Sequence, residues 1–303
     1  MEKVGVVTVT YNSEDVFHAF LRDVASQKHT NFILYIIDNA SNDSTLEILS
    51  RFKDIRIKLI KNSNNKGVAV ANNQGIREAI KDNCSQILLL NNDIEFPESL
   101  FNDLLLEQKQ RQCSMVVPKI MYFDKKDVIW YAGGNFNKNR GYLPFHKGFN
   151  EVDSGQFDQP IQVNYASTCC LLLKQEVFDD IGYMDEKFFV YFDDTDFLFR
   201  VLQNGKHKLW FCPQVAIFHK VGSLSRSFVK NQKKRLFRGD FFLKQNIKNH
   251  IYFLRKVGGV YSYLFCVYLL FRNNMRFLFS PRIKKNLSTW YLINSSYFQG
   301  WRL

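Results

Sequence analysis

Short apolar runs alternate with longer amphipathic segments over the first hundred residues. Four runs rich in β-branched and aromatic residues predict strands, at Val4–Val9, Phe32–Ile37, Ile55–Ile60 and Ile87–Leu90. Helical spacing of apolar residues between them predicts three helices, at Glu14–Gln27, Ser44–Phe52 and Val68–Lys81, with N-caps at Ser13 and Asn42. This alternation favours β–α–β units and a parallel sheet buried on both faces.

Polar clusters follow three of these strands directly. Residues 10–13 read TYNS, residues 38–41 read DNAS and residues 91–93 read NND. Each cluster alone has a structural explanation, because Asn, Asp and Ser are common caps and turn formers. Ligands of such sheets bind beyond the carboxyl ends of the strands, so three clusters together predict a ligand site there.

The chain contains neither of the two glycine-rich phosphate loops, GxGxxG and GxxxxGK[ST]. The phosphates of a bound nucleotide must therefore be neutralised in another way. A divalent cation held by Asp93 is the candidate, because hard cations favour carboxylate oxygens and keep substrate phosphates as further ligands.

A second cluster of candidate residues surrounds Asp193, Asp194 and Asp196, which lie among several phenylalanines and a tyrosine. Desolvation and mutual repulsion raise the pKa of at least one of these carboxyls, which is one way to make a general base. The structural alternative is a helix N-terminus, where acidic residues complement the helix dipole. Both interpretations hold if one carboxylate caps the helix and its neighbour faces the cleft.

Two strand-like runs, Lys208–Cys212 and Val215–Phe218, lead to His219. A lone histidine is more often a satisfied core or surface residue than a ligand. Because His219 lies at the end of a strand, we give a contact with a metal ion or a phosphate the same weight as a purely structural role.

The composition is that of a globular protein, with 46% hydrophobic and 23% charged residues among 303, which excludes a disordered or collagen-like chain. Six scattered cysteines without a CxxC pair indicate small buried hydrophobes in a reducing compartment rather than a zinc site or disulfide framework. Residues 1–9 are too short and strand-like for a signal peptide. We therefore expect a cytoplasmic protein.

The positive charge is concentrated in the last quarter of the chain. Residues 220–303 carry a net formal charge of +16 with Asp240 as their only acid, whereas residues 1–219 carry −4. Between Lys230 and Lys285 the longest uncharged stretch, Val257–Phe271, has 15 residues, fewer than the roughly 20 that a membrane span needs. A basic amphipathic helix at an anionic membrane surface fits better. A helical cap on the first domain or a dimer interface is the alternative.

Six motifs, in a family's order and with plausible spacing, give a resemblance over residues 4–223. They are VTYNSED, IIDNASNDST, NKGVAVANNQGI, LLLNND, WYAGG and FDDTDFLFR followed by FCPQVAIFH. The chain resembles family 2 glycosyltransferases of the GT-A fold, and among them bacterial rhamnosyltransferases and galactofuranosyltransferases of surface polysaccharide synthesis. The resemblance implies an α/β GT-A catalytic domain at 1–225 and a basic, mostly helical, membrane-associating segment at 226–303.

The resemblance also assigns the donor site. Eight residues would surround the base and ribose of a UDP- or dTDP-sugar: Thr10, Tyr11, Asn12, Asp38, Asn39, Asn65, Lys66 and Gly67. Asp38 would accept a hydrogen bond from the pyrimidine N3–H. Asn91 and Asn92 would contact the donor within the family's D-x-D motif, and a loop near the sugar would contain Gly133 and Gly134.

The catalytic and metal residues follow from the same resemblance. Asp193 and Asp194 replace the family's usual Glu-Asp pair, with Asp194 as the catalytic base. Asp93 and His219 would hold Mg²⁺ or Mn²⁺. Only the last carboxylate of D-x-D is present, which implies a modest metal affinity that depends on bound nucleotide. The family's Gly-Ala reads Ala-Ser-Thr at 166–168, which leaves the acceptor undefined.

These assignments imply an inverting, metal-dependent transfer of a sugar, rhamnose or galactofuranose, to a lipid-linked or oligosaccharide acceptor at the inner face of the cell membrane. An inactive nucleotide-sugar-binding module is one alternative, which the presence of Asp93, Asp194 and His219 disfavours. Nucleic-acid binding through the basic segment is the other. It is not expected, because the sequence has no recognisable nucleic-acid-binding motif and the acidic clusters would be left unexplained.

Overall fold

The computed structural model describes residues 2–221, 239–279 and 286–303. Strands and helices alternate in the first ninety residues, as the hydrophobic pattern predicts. They are β1 (Val4–Thr10), α1 (Glu14–Ala25), β2 (Phe32–Asp38), α2 (Thr45–Arg51), β3 (Ile57–Lys61), α3 (Val68–Lys81) and β4 (Gln86–Leu90).

Eight further strands and three helices follow up to residue 219, and three longer helices lie after them in the described residues. The first group comprises β5 (Ile94–Glu95), α4 (Leu100–Gln110), β6 (Met115–Tyr122), β7 (Ile129–Tyr131), β8 (Gly134–Asn137), β9 (Leu143–His146), β10 (Ile161–Val163), β11 (Cys170–Lys174), α5 (Gln175–Ile181), α6 (Asp193–Asn204) and β12 (Leu209–His219). A 3₁₀ turn spans Lys138–Arg140 between β8 and β9. The C-terminal helices are α7 (Asp240–Val257), α8 (Gly259–Phe279) and α9 (Leu287–Arg302).

The central sheet of the described residues has the strand order β10-β12-β6-β11-β4-β1-β2-β3, with β5 and β7 attached at its side. Strands β1 to β4 are parallel, as predicted, but β11 runs antiparallel to both β4 and β6. The predicted parallel arrangement of the first four strands is therefore confirmed, and the sheet as a whole is mixed. Edge strand β3 also leaves Leu59 exposed, so the sheet is not buried on both faces throughout.

Two local predictions also need correction. Asn42 is not an N-cap: α2 begins at Thr45 with Ser44 before it, and the backbone N–H of Asn42 donates to Asn12 instead. β3 starts at Ile57 rather than Ile55, because Asp54 accepts the backbone N–H of Arg56 in a turn that leaves Ile55 fully exposed.

The two predicted runs before His219 form a single strand, β12. An irregularity in its pairing with β6 falls between Cys212 and Ala216, where the sequence pattern breaks. All six cysteines are buried and free, so the prediction that they act as small hydrophobes is confirmed.

The C-terminal helices have a small core of their own. Ile251, Cys266 and Ile293 lie at its centre, one from each helix. A Cβ at Gly300 would lie 2.4 Å from the carbonyl oxygen of Lys248, so α9 packs closely along α7. The mostly helical character of this segment is confirmed, whereas the predicted boundary between residues 225 and 226 lies outside the described residues. None of the described helices is both long enough and apolar enough to cross a membrane.

Polar contacts join α7 to the loop that precedes α6. The Nδ2 of Asn249 donates to the carbonyl oxygens of Val190 and Tyr191, both at 2.9 Å. Lys256 Nζ lies 2.6 Å from Asp185 and 2.6 Å from Asp196. The helical segment therefore contributes directly to the position of the acidic cluster.

Candidate active site

The carboxyl ends of β1 and β2 meet as predicted. Thr10 pairs with Asp38 in the sheet, and the Thr10 hydroxyl donates to Asp38 Oδ1 at 3.1 Å. Asp38 is buried, and its Oδ2 accepts the backbone N–H of Ser41 at 3.2 Å. Two donors thus orient this carboxylate, and its remaining lone pairs can accept from a ligand.

A network of amide side chains lies beside Asp38. Asn39 donates to the carbonyl of Gly67 at 3.1 Å and accepts from Asn62 at 2.9 Å. Asn62 and Gln74 exchange two further hydrogen bonds, each 2.9 Å long. Sequence analysis did not identify Asn62 or Gln74, although the network they form fixes the orientation of Asn39.

The predicted base-binding turn after β1 is tied to the loop after β2. Asn12 has a positive φ of 52°, its backbone N–H donates to Ser41 Oγ, and its side chain accepts from the backbone of Asn42. Tyr11, next to it, is half-buried. The two loops are therefore held together at the edge of the sheet beyond β1 and β2.

Gly67 brings the start of α3 against the loop before α6. Its φ is +87°, and a Cβ at this position would lie 2.4 Å from the carbonyl oxygen of Phe189. That carbonyl accepts the backbone N–H of Val68 at 2.7 Å. The neighbouring Asn65 accepts the backbone N–H of Gly67, and Lys66 is exposed. A glycine is required here by both the close approach and the backbone angle.

Asp93 and His219 lie side by side because β5 pairs with the end of β12. His219 stands opposite Ile94, and the backbone N–H of Lys220 donates to the carbonyl of Asp93. The side chains meet with Asp93 Oδ2 3.4 Å from His219 Nε2, at 4% and 11% exposure. The predicted pair is thus assembled by residues 126 positions apart in the sequence.

One carboxylate and one imidazole fit part of the shell of a divalent cation, whose other ligands would be diphosphate oxygens and water. No group of three or more His, Cys, Asp or Glu side chains in the described ranges is placed to hold a metal ion. The donor set therefore agrees with the predicted dependence of metal affinity on bound nucleotide.

The two asparagines before Asp93 have different surroundings. Asn92 is buried, and its Nδ2 donates to the carbonyl of Val9 and to Ser13 Oγ, at 2.8 and 3.3 Å. Asn91 is half-buried, and its backbone N–H donates to Cys169. Asn92 thus has a clear structural role, and its contact with a sugar donor stays a prediction.

The acidic cluster begins α6, as the helix-dipole interpretation predicts. Tyr191 and Phe192 precede it, both with positive φ, at 65° and 70°. Such a conformation is costly for large residues and persists where the surroundings impose it. Here the contacts of Asn249 with the carbonyls of Val190 and Tyr191 supply that constraint.

Asp194 is held by three hydrogen bonds. Tyr165 donates its hydroxyl to Oδ2 at 2.9 Å, and Thr195 donates its backbone N–H and its hydroxyl to Oδ1 at 2.6 and 3.1 Å. Asp194 is less buried than Asp193. One lone pair of Oδ2 is left for a further donor.

The two adjacent carboxyls differ in their proton affinity. Burial, together with the charge of Asp194, raises the pKa of Asp193. Burial raises the pKa of Asp194 too, but the hydrogen bonds from Tyr165 and Thr195 oppose that rise. Side-chain hydrogen bonds thus favour the charged form of Asp194, whereas burial and the neighbouring charge disfavour the charged form of Asp193. This confirms the expectation that desolvation and repulsion raise a pKa in this cluster.

Asp196 has a structural role. Arg200 Nε lies 3.0 Å and Lys256 Nζ 2.6 Å from its carboxylate, which is almost fully buried. The carbonyls of Ile181 and Tyr183 accept further hydrogen bonds from Arg200. Asp196 therefore anchors α6 and α7 to each other.

A series of ring contacts joins the Asp93–His219 pair to Asp194. Trp130 packs edge-on against His219 and His146, with centroids 4.8 and 4.7 Å apart, and His146 stacks on Tyr165. Tyr165 also lies against Gly134, where a Cβ would come within 2.9 Å of its ring. The predicted glycine loop thus adjoins the residue that orients Asp194.

Tyr165 and His146 were missed by sequence analysis. Tyr165 lies 29 residues before Asp194 in an irregular segment between β10 and β11, and no local pattern links the two. Trp130 begins the motif WYAGG, which pointed to this loop but assigned no role to the indole ring.

Residues 5–182 match the family model described as "Glycosyl transferase family 2". The chain belongs to this family. The predicted resemblance to this family is therefore confirmed, and the matched range runs from β1 to the end of α5.

Three curated relatives are identical to this chain at about a quarter of the aligned positions. The Haloferax volcanii low-salt glycan biosynthesis hexosyltransferase Agl10 is 24% identical over 203 residues, 66% of this chain and 62% of that protein. The Shigella flexneri dTDP-rhamnosyl transferase RfbF is 24% identical over 223 residues, 73% and 70% of the two chains. The Escherichia coli UDP-Glc:alpha-D-GlcNAc-diphosphoundecaprenol beta-1,3-glucosyltransferase WfaP is 24% identical over 200 residues, 65% and 68%.

Solved structures share the fold. S. aureus TarS (residues 1–349) superposes with a TM-score of 0.60 at 15% identity, covering 98% of this chain and 80% of that one. The mannosyltransferase PcManGT from Pyrobaculum calidifontis, solved with GDP-Man and Mn²⁺, gives 0.56 at 12% identity, covering 99% and 86%. The predicted α/β GT-A fold with a helical C-terminal segment is confirmed.

Proposed function

We propose that this chain transfers a sugar from a UDP- or dTDP-sugar to a hydroxyl of a lipid-linked glycan acceptor, with inversion at the anomeric carbon. The observation that carries the proposal is the geometry of Asp194. Its carboxylate is oriented by Tyr165 and Thr195 and is linked through ring contacts to the Asp93–His219 pair. A base and a candidate diphosphate site are thus joined in one structure.

The reaction would proceed as a single displacement. Asp194 takes the proton of the acceptor hydroxyl while the hydroxyl oxygen bonds to the anomeric carbon. The bond from that carbon to the diphosphate oxygen breaks, and the nucleoside diphosphate leaves with the bonding electrons. Proton transfer to a positioned base is typically worth about 10²–10⁴-fold in rate.

The donor would lie across the edge beyond β1, β2 and β4. Asp38, already oriented by Thr10 and Ser41, would accept from the pyrimidine N3–H. The loops at 11–12 and 65–67 would surround the base and ribose, and the loop with Gly133 and Gly134 would face the sugar. Mg²⁺ or Mn²⁺ bound by Asp93 and His219 would neutralise charge on the diphosphate.

The assignment of substrates rests on relatives as well as on this chain. Among the relatives, RfbF is named as a dTDP-rhamnosyl transferase and WfaP as an enzyme acting on a diphosphoundecaprenol-linked sugar. Those names support a lipid-linked acceptor and a rhamnose donor, and galactofuranose rests on the sequence motifs alone.

A membrane surface is the proposed location of the C-terminal helices, at the inner face of the cell membrane. Val260, Leu264, Val267 and Phe271 of α8 are exposed and lie three or four residues apart, so they share one face of the helix. Together with the net charge of +16 after residue 219, this face suits an anionic bilayer.

Calorimetric titration with UDP and with dTDP, each in Mn²⁺ and in EDTA, tests the proposal. We expect one nucleotide to bind, and to bind more tightly with Mn²⁺. UDP binding would favour galactofuranose or another UDP-sugar, and dTDP binding would favour rhamnose. Absence of binding to both in every condition would contradict the proposal. Nucleotide affinity without turnover of any matching sugar donor would instead identify an inactive binding module.

A further inference from the structure

A cavity of about 370 Å³ lies where the C-terminal helices meet the catalytic domain. Its wall is largely apolar, with Phe192 from the catalytic loop, Leu143 from β9, and Ile247, Leu269 and Ile293 from α7, α8 and α9. This volume and lining are typical of sites for small molecules. Because Phe192 lies two residues before Asp194, the cavity adjoins the catalytic carboxylate along the chain.

Two arginines interrupt the apolar wall. Arg272 and Arg276 of α8 line the cavity, and the Nε of Arg272 is buried without a hydrogen-bond partner in the described part of the chain. Burial lowers the pKa of Arg272, and the charge of Arg276 lowers it further, although Tyr268 opposes that fall. A buried N–H without an acceptor is costly, and a bound anion would remove that cost.

The chain offers few carboxylates for this cluster. The cavity wall, as far as the structure describes it, contains no Asp or Glu. Asp240 is the only acidic residue after Lys220, and neither residues 222–238 nor residues 280–285 include an acid in their sequence. An anionic ligand from outside the chain would therefore complement the positive charge of Arg272 and Arg276.

The ligand that fits both the wall and the cluster has an anionic end and an apolar chain. The exposed face of α8 formed by Val260, Leu264, Val267 and Phe271 belongs to the same helix as the two arginines. Guanidinium groups suit phosphate because they donate in a planar, bidentate arrangement.

We propose that this cavity binds the phosphate end of the lipid carrier on which the acceptor is built, with Arg272 and Arg276 as its phosphate ligands. The inference rests on the proposed function, because it assigns a site to the acceptor of that reaction. It places the lipid phosphate beside the loop that leads to Asp194, and Gly67 of the proposed donor pocket contacts the same loop at Phe189.

Calorimetric titration of the full chain with farnesyl phosphate, farnesol and inorganic phosphate tests the site. We expect farnesyl phosphate to bind at least tenfold more tightly than either of the other two. Equal affinity for farnesol would show that the arginines contribute nothing, and equal affinity for inorganic phosphate would show that the apolar wall contributes nothing. Either result would overturn the proposal.

Two substitutions assign the binding to the arginines. Arg272→Gln and Arg276→Gln should each weaken farnesyl phosphate binding about tenfold or more, and the exposed Arg276 keeps the test valid if Arg272→Gln fails to fold. Arg302→Gln, an exposed arginine at the end of α9, is the matched control and should leave the affinity unchanged. Unchanged affinity in both cavity variants would refute the assignment.

Vesicle sedimentation separates a carrier phosphate from the headgroups of the bilayer. Arg276→Gln should retain its binding to phosphatidylglycerol vesicles, and a parallel loss of vesicle binding would mean that the cavity takes bilayer lipids instead. The nucleotide titration keeps the two proposals distinguishable. Farnesyl phosphate binding without nucleotide binding would contradict the proposed function alone, and the reverse result would contradict this site alone.

Discussion

Polar side chains have different surroundings at the edge of the sheet beyond β1, β2 and β4 and in the C-terminal helices. At the edge, Asp38, Asn39 and Asp194 are oriented by hydrogen bonds from other residues of the same domain. In the helices, Arg272 and Arg276 lack a nearby carboxylate in the described cavity wall, and the apolar face of α8 is exposed. The first region is organised before any ligand binds, whereas the second is complementary to something outside the chain.

The two regions meet at the loop before α6. Gly67 and Val68 contact it from the donor side, and Asn249 and Lys256 contact it from α7. Tyr191 and Phe192 have positive φ at this junction. The position of the catalytic carboxylate therefore depends on both regions, and variants can separate their contributions.

Asp194→Asn has the largest expected effect, because it removes the proposed base while preserving the shape of the side chain. Transfer should fall about 10²–10⁴-fold, and the affinity for the bound nucleotide should stay within twofold, since Asp38 and its neighbours are untouched. Initial rates and calorimetry measure the two quantities. Asp179→Asn, an exposed aspartate of α5, is the control. A variant at position 194 with wild-type rates would show that another group takes the proton.

Asn249→Ala tests whether the helices hold the catalytic loop. It removes both hydrogen bonds to the carbonyls of Val190 and Tyr191 and should cost about 1–3 kcal/mol of stability for the buried groups left unpaired. Urea unfolding measures that cost. Turnover should fall while nucleotide affinity stays unchanged, because the donor pocket is built from other elements.

Asn246→Ala is the matched control for this substitution. Asn246 lies on the same helix and donates to the carbonyl of Phe242 one turn earlier, but it also lines the cavity, so the two variants are compared by stability. If both variants lost the same stability, the hydrogen bonds to the loop would contribute no more than a contact within one helix.

Leu264→Gln combined with Phe271→Gln probes the outward face of α8. The double variant should bind phosphatidylglycerol vesicles about tenfold more weakly, because two apolar side chains would no longer enter the bilayer. Its free energy of unfolding should change by less than about 0.5 kcal/mol, since both residues are exposed. Ile55→Gln, at a fully exposed apolar residue near β3, should leave vesicle binding unchanged. Equal vesicle binding by the wild type, the double variant and Ile55→Gln would contradict the proposal that this face binds a membrane surface.

The features that sequence analysis predicted are local ones. α3 has the bounds that the apolar spacing predicts, and the polar clusters after β1, β2 and β4 lie along one edge because parallel strands bring their ends together. The direction of β11 could not be predicted in this way. Its five residues, CLLLK, are apolar and buried whichever way the strand runs.

The parts of the site that were missed depend on contacts distant in sequence. Tyr165 reaches Asp194 across 29 residues, and Asn249 reaches Tyr191 across 58. A tyrosine or an asparagine in these places has many equally good uses, and only tertiary packing selects one. The Asp93–His219 pair was inferred from family motifs rather than from spacing, since nothing local relates a strand end to a residue 126 positions earlier.

Tyr165→Phe has the smallest expected effect and the most specific one. The phenol donates to Asp194 Oδ2 and so favours the charged form of this carboxyl. Removing the donor raises the pKa of Asp194 further above the ordinary value of an aspartate. Because the base must be ionised, the acid limb of the kcat/KM profile should move to higher pH, with little change on its plateau.

Tyr131→Phe is the matched control for this shift, since its buried hydroxyl donates to the backbone carbonyl of Tyr165 and not to Asp194. Its loss leaves a buried carbonyl without this hydrogen bond and costs stability, so the position of the acid limb and not the rate is compared. Arg272→Gln provides the regional control: it lies in the helices, so it should alter lipid-phosphate affinity and leave the limb in place. A limb that moved with Arg272→Gln but not with Tyr165→Phe would mean that the charge of the helical segment, rather than the hydrogen bonds of the catalytic domain, sets the proton affinity of the base.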